Sequence, residues 1–152
     1  MLPANRDLWR QNMIREGTFE DFLAIQQICE KDLGYSCDPM VVRTRFFNLD
    51  KERECVFVAV QDNIVTGFIH IEKYELLYHQ AMVNVLGLAV SDEYRHQGFG
   101  SALLTAAEEW AKGRNISEMR LNSGAKRKEA HSFYRYAGYT DEKEQIRFIK
   151  RL

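Results

Sequence analysis

Between Ala81 and Val90 the chain runs through a dense apolar stretch, AMVNVLGLAV, and then turns through SDEYRHQGFG into a segment of helical periodicity. An apolar run bounded by polar residues is expected of a central strand with both faces covered, which calls for helices packed on a sheet. The helical segment, Phe99 to Lys112, places Phe99, Ala102, Leu103, Ala106 and Trp110 on one face. The turn between them carries glycines where a simple N-cap would otherwise stand.

The flanking patterns fit the same architecture. Met13 to Arg15 reads as a short first strand, and Thr18 followed by Asp21 resembles a helix cap. Phe22, Ile25, Ile28 and Cys29 then repeat at helical spacing to about Asp32. Asp38 with Pro39 predicts the start of a second helix, with Val42, Phe46 and Leu49 as its apolar stripe. Cys55 to Val60 and Ile64 to Ile71, separated by Gln61-Asp62-Asn63, predict a hairpin. Lys73 to Gln80 reads as a connection whose Tyr74, Leu76, Leu77 and Tyr78 either rim a binding surface or cover a sheet edge. Ile116 to Asn122 predicts a further strand and Lys126 to Tyr136 a helix that buries Ala130, Phe133, Tyr134 and Ala137, closed by Gly138. Ile146 and Phe148 alternate as one face of a terminal strand. The order predicts an α/β fold, a mixed sheet flanked by about four helices.

The 152 residues, 45% of them apolar, suffice for one core. We therefore expect a single domain over residues 13–152 behind an N-terminal extension, residues 1–12. The 21 basic and 22 acidic side chains nearly cancel, which gives no field favouring nucleic acid. No apolar run approaches the roughly 20 residues that cross a bilayer, so no membrane partner is expected. Met1 to Trp9 lacks the apolar stretch of a signal peptide, which points to the cytoplasm. Cys29, Cys37 and Cys55 have no metal-ligand spacing and read as reduced thiols; the four histidines are scattered, and no metal is expected.

Charge is uneven along the chain. From Glu16 to Glu54 nine acidic residues face five basic ones, and from Arg95 to Arg135 eight basic residues face four acidic. A polyanionic ligand would prefer the later segment and a cationic one the earlier, although both sets also read as ordinary solvated surface.

The turn from Val90 to Ser101 is a physical site for a phosphate or diphosphate. Backbone N–H groups from Gln97 to Ser101 can point into one space at the positive end of a helix. Gly98 allows close approach of a ligand, and Gly100 close packing or an unusual dihedral. Two glycines alone equally describe an ordinary tight turn. GFGSAL begins like GxGxxG but ends in Leu103, and no GKS or GKT triplet exists, so dinucleotide-fold and Walker-type readings are poor.

Leu88-Ala89-Val90 followed by Arg95-His96-Gln97-Gly98-Phe99-Gly100 resembles motif A of the GNAT acetyltransferases, an apolar strand leading to R/Q-x-x-G-x-G/A. Asn122, Arg127, Ala130-His131, Phe133-Tyr134 and Gly138-Tyr139 resemble that family's motif B. The resemblance spans about Met13 to Leu152, with its specific part at Val83 to Tyr139. It implies acetyl-CoA as cofactor, its pyrophosphate on the amides of Gln97, Gly98, Phe99, Gly100 and Ser101, and its pantetheine arm on the backbone of Leu88 and Val90, beside a bulge. Asn122 would face that arm, and Arg95 and Arg127 would approach the phosphates, with Lys126 and Lys128 as further candidates.

The resemblance also implies Tyr134 as the acid that protonates the leaving thiolate; composition alone makes it a packed core aromatic. His131, one turn earlier, either lines the same channel or packs at the surface. The implied mechanism is direct transfer to an amine without a covalent enzyme intermediate, with the Leu88 amide on the carbonyl oxygen. Some relatives carry a basic glutamate where this chain has Asn84, which cannot take that proton. Glu72, sharing a strand face with Phe68 and His70, is the substitute base, against a solvated or structural role.

A small-molecule amine is the expected acceptor, with a peptide or protein amine, or a non-catalytic acyl-CoA module, as alternatives. Exposed edges around the last strands would support a homodimer.

Overall fold

The computed structural model describes residues 13–152; the expected extension over residues 1–12 lies outside the described residues. The chain divides into two compact units, one ending at Leu121 and the other Asn122–Leu152.

In the first unit a five-stranded sheet runs in the order β1 (Ile14–Glu16), β2 (Glu54–Gln61), β3 (Ile64–Tyr74), β4 (Met82–Val90) and β5 (Met119–Leu121). The first four strands pair antiparallel, and β5 joins β4 in parallel. The expected hairpin forms with both Asp62 and Asn63 at positive φ, the tight turn whose twist suits two adjacent strands. The β4 strand is interior, between β3 and β5, but the middle of the sheet is β3. One residue of β4, Leu86, is 46% exposed.

Helix α1 (Phe22–Asp32) follows a single 3-10 turn, Phe19–Asp21. The Asp21 carboxylate anchors this entry by accepting from the Thr18 N–H at 2.7 Å and from both Arg15 terminal nitrogens at 2.7 and 2.9 Å. Burial alone would raise the Asp21 pKa, but these bonds outweigh it and hold the carboxyl below its ordinary range. Helix α2 (Pro39–Phe47) starts as expected, the Asp38 side chain accepting from Met40 N–H at 2.8 Å.

Ile25 and Ile28 of α1 pack on Val56, Val58, Phe68 and Ala89, with Val42, Phe46 and Leu49 against this cluster. Helix α3 spans Phe99–Lys112 as predicted, but its buried face is Phe99, Leu103, Leu104, Ala107 and Ala111. Ala102, Ala106 and Trp110 lie at the margin, and the Trp110 ring is instead covered by the Arg114 guanidinium at 3.7 Å. The interior of this unit is built from fully buried Val58, Ile69, Ile71, Val83, Leu103 and Leu104. Each large aliphatic side chain so buried contributes about 1.5–3 kcal/mol.

In the second unit α4 spans Lys128–Tyr136, and Gly138 follows at φ +94°, the left-handed residue that ends a helix. None of its residues is fully buried, and Ala137 is exposed. The expected terminal strand does not form. Residues 139–152 make no regular element, and Ile146 and Phe148 are 80% and 89% exposed. Two alternating apolar residues suffice for a strand pattern but not for a strand, which needs a paired edge. The dimer expected from that edge therefore loses its basis.

Candidate active site

The β4 strand carries one residue more than its partner. His70 faces Gly87 and Ile71 faces Val85, which leaves Leu86 as a bulge. The β5 strand pairs with Val83, Asn84 and Val85, so among the described residues β4 has no strand partner on that side from the bulge onward. The Val83 N–H still reaches Glu118 carbonyl oxygen, at 2.9 Å, and the Ser91 N–H donates to Thr66 on β3 at 2.8 Å. Alternation from Ser91 turns the backbone of Ala89 and Gly87 toward β3, and that of Val90 and Leu88 toward the open edge.

Beyond Val90 a 3-10 turn, Asp92–Tyr94, leads to His96 at φ +61° and Gly98 at φ +86°. Gly98 is the N-cap of α3, a left-handed position that glycine occupies without a Cβ penalty. The N–H groups of Phe99, Gly100 and Ser101 lie in the first turn and have no intrahelical acceptor. A loop of this form concentrates donors and the helix dipole on an anion.

Arg95 ties this turn to the strand before it and to α1. Its Nε–H donates to the Val90 carbonyl at 3.2 Å, and its Nη2 lies 3.3 Å from Asp32 Oδ1. Asp32, the last residue of α1, also accepts from the Asp92 N–H at 3.1 Å; its side chain is 3% exposed and its Oδ2 has no hydrogen-bond partner among the described residues. Lys31 adds ion pairs to Asp92 at 3.1 Å and Glu93 at 3.6 Å, so the end of α1 is tied to the start of the turn.

On the face of the sheet that carries Phe68, a polar row crosses the strands. Glu54, Glu72, Asn84 and Arg120 are successive cross-strand partners on β2, β3, β4 and β5. The Asn84 amide donates to Glu72 Oε1 at 3.2 Å and accepts from Arg120 Nη1 at 2.6 Å. The Arg120 guanidinium also lies 4.6 Å from the centre of the Tyr74 ring. Glu54 accepts from His70 Nε2 and from Arg45, each at 2.9 Å. Burial lowers the His70 pKa against the pull of Glu54, which keeps the ring neutral at pH 7. Glu72 thus shares its face with Phe68 and His70 as expected, on a strand that continues to Tyr74. Leu77 and Tyr78, expected at a rim, are exposed.

In the second unit Tyr134 is half-buried, its ring 5.1 Å from Phe133 and 5.9 Å from Tyr139. Burial raises the phenol pKa, against a smaller opposing effect of Arg127, so the hydroxyl keeps its proton at neutral pH. His131 Nε2 lies 2.9 Å from the Gly124 carbonyl. Asn122 directly follows β5 in the chain, and Arg127 directly precedes α4.

Cys29 and Cys55 are pushed up to about 11 by burial, and thiols so protonated are poor nucleophiles. Among the described residues no His, Cys, Asp and Glu cluster could hold a metal, and no helix is long and apolar enough to cross a membrane. The sequence offers Asp32 only as one of several acidic residues of the first two helices that could draw a cationic acceptor, and it does not single out Arg120. Both are charged residues inside apolar periodicities, a signal that marks a buried or cross-strand partner without naming it.

An open-edged strand running into a left-handed glycine turn offers unpaired backbone groups to an extended chain and N–H donors to an anion. Residues 14–139 match the Acetyltransferase (GNAT) family, and the chain belongs to it. It is an acetyl-CoA-dependent acetyltransferase. The aminoalkylphosphonate N-acetyltransferase of Salmonella typhimurium (strain LT2) is 29% identical over 141 residues, covering 91% of this chain and 90% of that protein. Two solved structures share the fold. A Bacillus halodurans protein described as a transcriptional regulator superposes with a TM-score of 0.82 at 22% identity, over 90% of this chain and 98% of that one. The aminoglycoside N-acetyltransferase AAC(6')-Iy in complex with CoA gives 0.81 at 15% identity, over 91% and 94%.

Proposed function

We infer that the protein acetylates a primary amine of a small molecule by direct transfer. The observation that carries this reading is the open edge of β4 at Leu88 and Val90, continuous with the left-handed turn at Gly98. An extended arm with amide groups suits the first, and a diphosphate suits the second. The absence of a Cβ at Gly98 supports close approach of the phosphates. Gln97, Gly98, Phe99, Gly100 and Ser101 would hold them, with Arg95, Arg127 and Asn122 as further contacts by family resemblance.

Acetyl-CoA supplies the acetyl group as a thioester. Glu72 takes a proton from the acceptor ammonium, directly or through water. The Leu88 N–H donates to the carbonyl oxygen as charge develops there. The neutral amine nitrogen bonds to the acetyl carbon and the thioester C–S bond breaks. Tyr134, assigned by family resemblance and protonated at neutral pH, gives its proton to the departing thiolate, and the second proton shed by the amide nitrogen restores the phenol. Small acceptors are supported by the names of the relatives, which act on aminoalkylphosphonates and aminoglycosides.

The test is release of free thiol from acetyl-CoA against a panel of small amines and short peptides, with cofactor-only controls. Acceptor-dependent release with the small amines is expected. Release with peptides alone would move the acceptor to a protein, and tight acetyl-CoA binding with no release for any amine would leave a binding module.

A further inference from the structure

Between α1, α2 and the sheet the first unit leaves a hollow of about 70 Å³, walled by Ile25, Val42, Phe46, Leu49, Val56 and Phe68. Arg45 and His70 complete its lining. We propose that this hollow receives the apolar end of the acceptor, so that the substrate is a primary amine carrying a small branched hydrocarbon group. The proposal rests on the acetyltransfer reading above and adds the substrate class.

The walls belong to the same cluster that packs α1 and α2 on the sheet. Close-packed interiors leave few voids larger than a water molecule, so a hollow of this size in that cluster is room for something else. Its two polar residues are engaged with each other's partner: Arg45 Nη2 and His70 Nε2 both bond to Glu54 Oε1, each at 2.9 Å. A charged group entering the hollow would give up its water against apolar side chains, whereas a hydrocarbon gains by the same move. An apolar cavity of about 150 Å³ takes a benzene ring, so a hollow about half that size has room for roughly three or four carbons.

The hollow borders the reacting strand through two of its own lining residues. His70 faces Gly87 across β3 and β4. A Cβ added at Gly87 would stand 3.6 Å from the Phe68 ring, and no other residue among those described, its chain neighbours apart, comes within 4 Å of that point. Gly87 directly precedes Leu88, whose N–H is the proposed donor to the carbonyl oxygen. Glu72 stands two residues beyond His70 on the same face, roughly 7 Å along the strand. An amine lying between Glu72 and Leu88 can therefore lay its hydrocarbon end over Phe68 and into the hollow.

The experiment measures kcat/KM with acetyl-CoA for ethylamine, 2-methylpropylamine, 3-methylbutylamine, 4-methylpentylamine, 1,4-diaminobutane and 2-aminoethylphosphonate. Each buried hydrocarbon carbon is worth about fourfold, so three of them should lift the best branched amine roughly 60-fold above ethylamine. The diamine and the phosphonate should stay well below it. Val42→Phe, which fills the hollow, should bring the ratio toward one, and Phe46→Ala, which enlarges it, should move the optimum to a longer chain. Isothermal titration of acetyl-CoA confirms that each variant is folded. An unchanged ratio in folded Val42→Phe overturns the proposal; if that variant does not fold, an unchanged optimum in Phe46→Ala overturns it. Ethylamine, the diamine or the phosphonate used by the wild type as well as the best branched amine overturns it too. Isobutyryl-CoA with ethylamine tests the other source of a branched group, and a gain there equal to that of the branched amines would assign the hollow to the acyl chain and overturn the proposal. Turnover without the preference leaves the acetyltransfer reading standing, whereas no turnover of any amine by a protein that binds acetyl-CoA overturns both.

Discussion

Arg95 reaches back to the strand that leads into its own turn, its Nε–H donating to the carbonyl of Val90 at 3.2 Å. The same guanidinium meets Asp32 at the end of α1, so one side chain joins the open strand edge, the glycine turn and α1. Arg95→Ala should therefore act on both stability and ligand binding. Because Arg95 is itself 45% exposed, the loss in stability is about 1 kcal/mol. Acetyl-CoA affinity should fall about tenfold, the effect of one charge-assisted contact to a phosphate. Urea unfolding and calorimetric titration read the two separately, and an unchanged affinity would remove Arg95 from the cofactor contacts.

Gly98→Ala tests the turn. At φ +86° an L side chain costs roughly 1–2 kcal/mol, and on the proposed reading the added methyl would hinder the approach of a phosphate to the backbone. The variant should unfold at lower urea concentration and bind acetyl-CoA more weakly. Retention of full affinity would show that the ligand does not approach the backbone at this residue.

Tyr134→Phe removes the proposed acid and little else, since the ring contacts to Phe133 and Tyr139 remain available. Acetyl-CoA binding should stay largely intact while kcat falls about 10²–10⁴-fold, the range for loss of a general acid. Equal turnover in the variant would remove Tyr134 from the chemistry.

The pH dependence of stability offers a test of the entry to α1. Asp21 has a folded pKa below its unfolded value, so its stabilisation is complete above the ordinary aspartate pKa of about 3.9 and is lost as pH falls from there through the folded value. Asp21→Asn should lower stability at pH 7 by about 2 kcal/mol through loss of the bonds to Arg15 and Thr18. It should also flatten the acid limb of the stability curve below about pH 4. A variant curve parallel to the wild type would assign the acid limb to other carboxylates.

The sequence made much of the first unit legible because local signals there agree with the packing. Asp38-Pro39 starts α2, Asp62-Asn63 turns the hairpin, and the boundaries of α3 follow from Gly98 and Lys112. The buried face of α3 was misplaced because several small residues in that helix let its apolar periodicity be drawn in two ways, and tertiary packing chooses Leu104 and Ala107 over Ala106 and Trp110. The bulge at Leu86 leaves no mark in composition; it exists only as a difference in count between two paired strands. The link from Asn84 to Glu72 and Arg120 depends on register across three strands, one pair of them separated by a whole helix in sequence. The alternation of Ile146 and Phe148 was legible and misleading, since an edge to pair with cannot be read from a strand's own residues.

Asn84 has a consequence for how this sequence can change. An aspartate or glutamate there would face Glu72 as a like charge, and a lysine or arginine would face Arg120 in the same way. An apolar residue would strip both neighbours of a bond. Positions 72 and 84 are therefore linked in inheritance: moving the carboxylate from β3 to β4 would require residue 72 to change with residue 84, while Arg120 would then face an opposite charge.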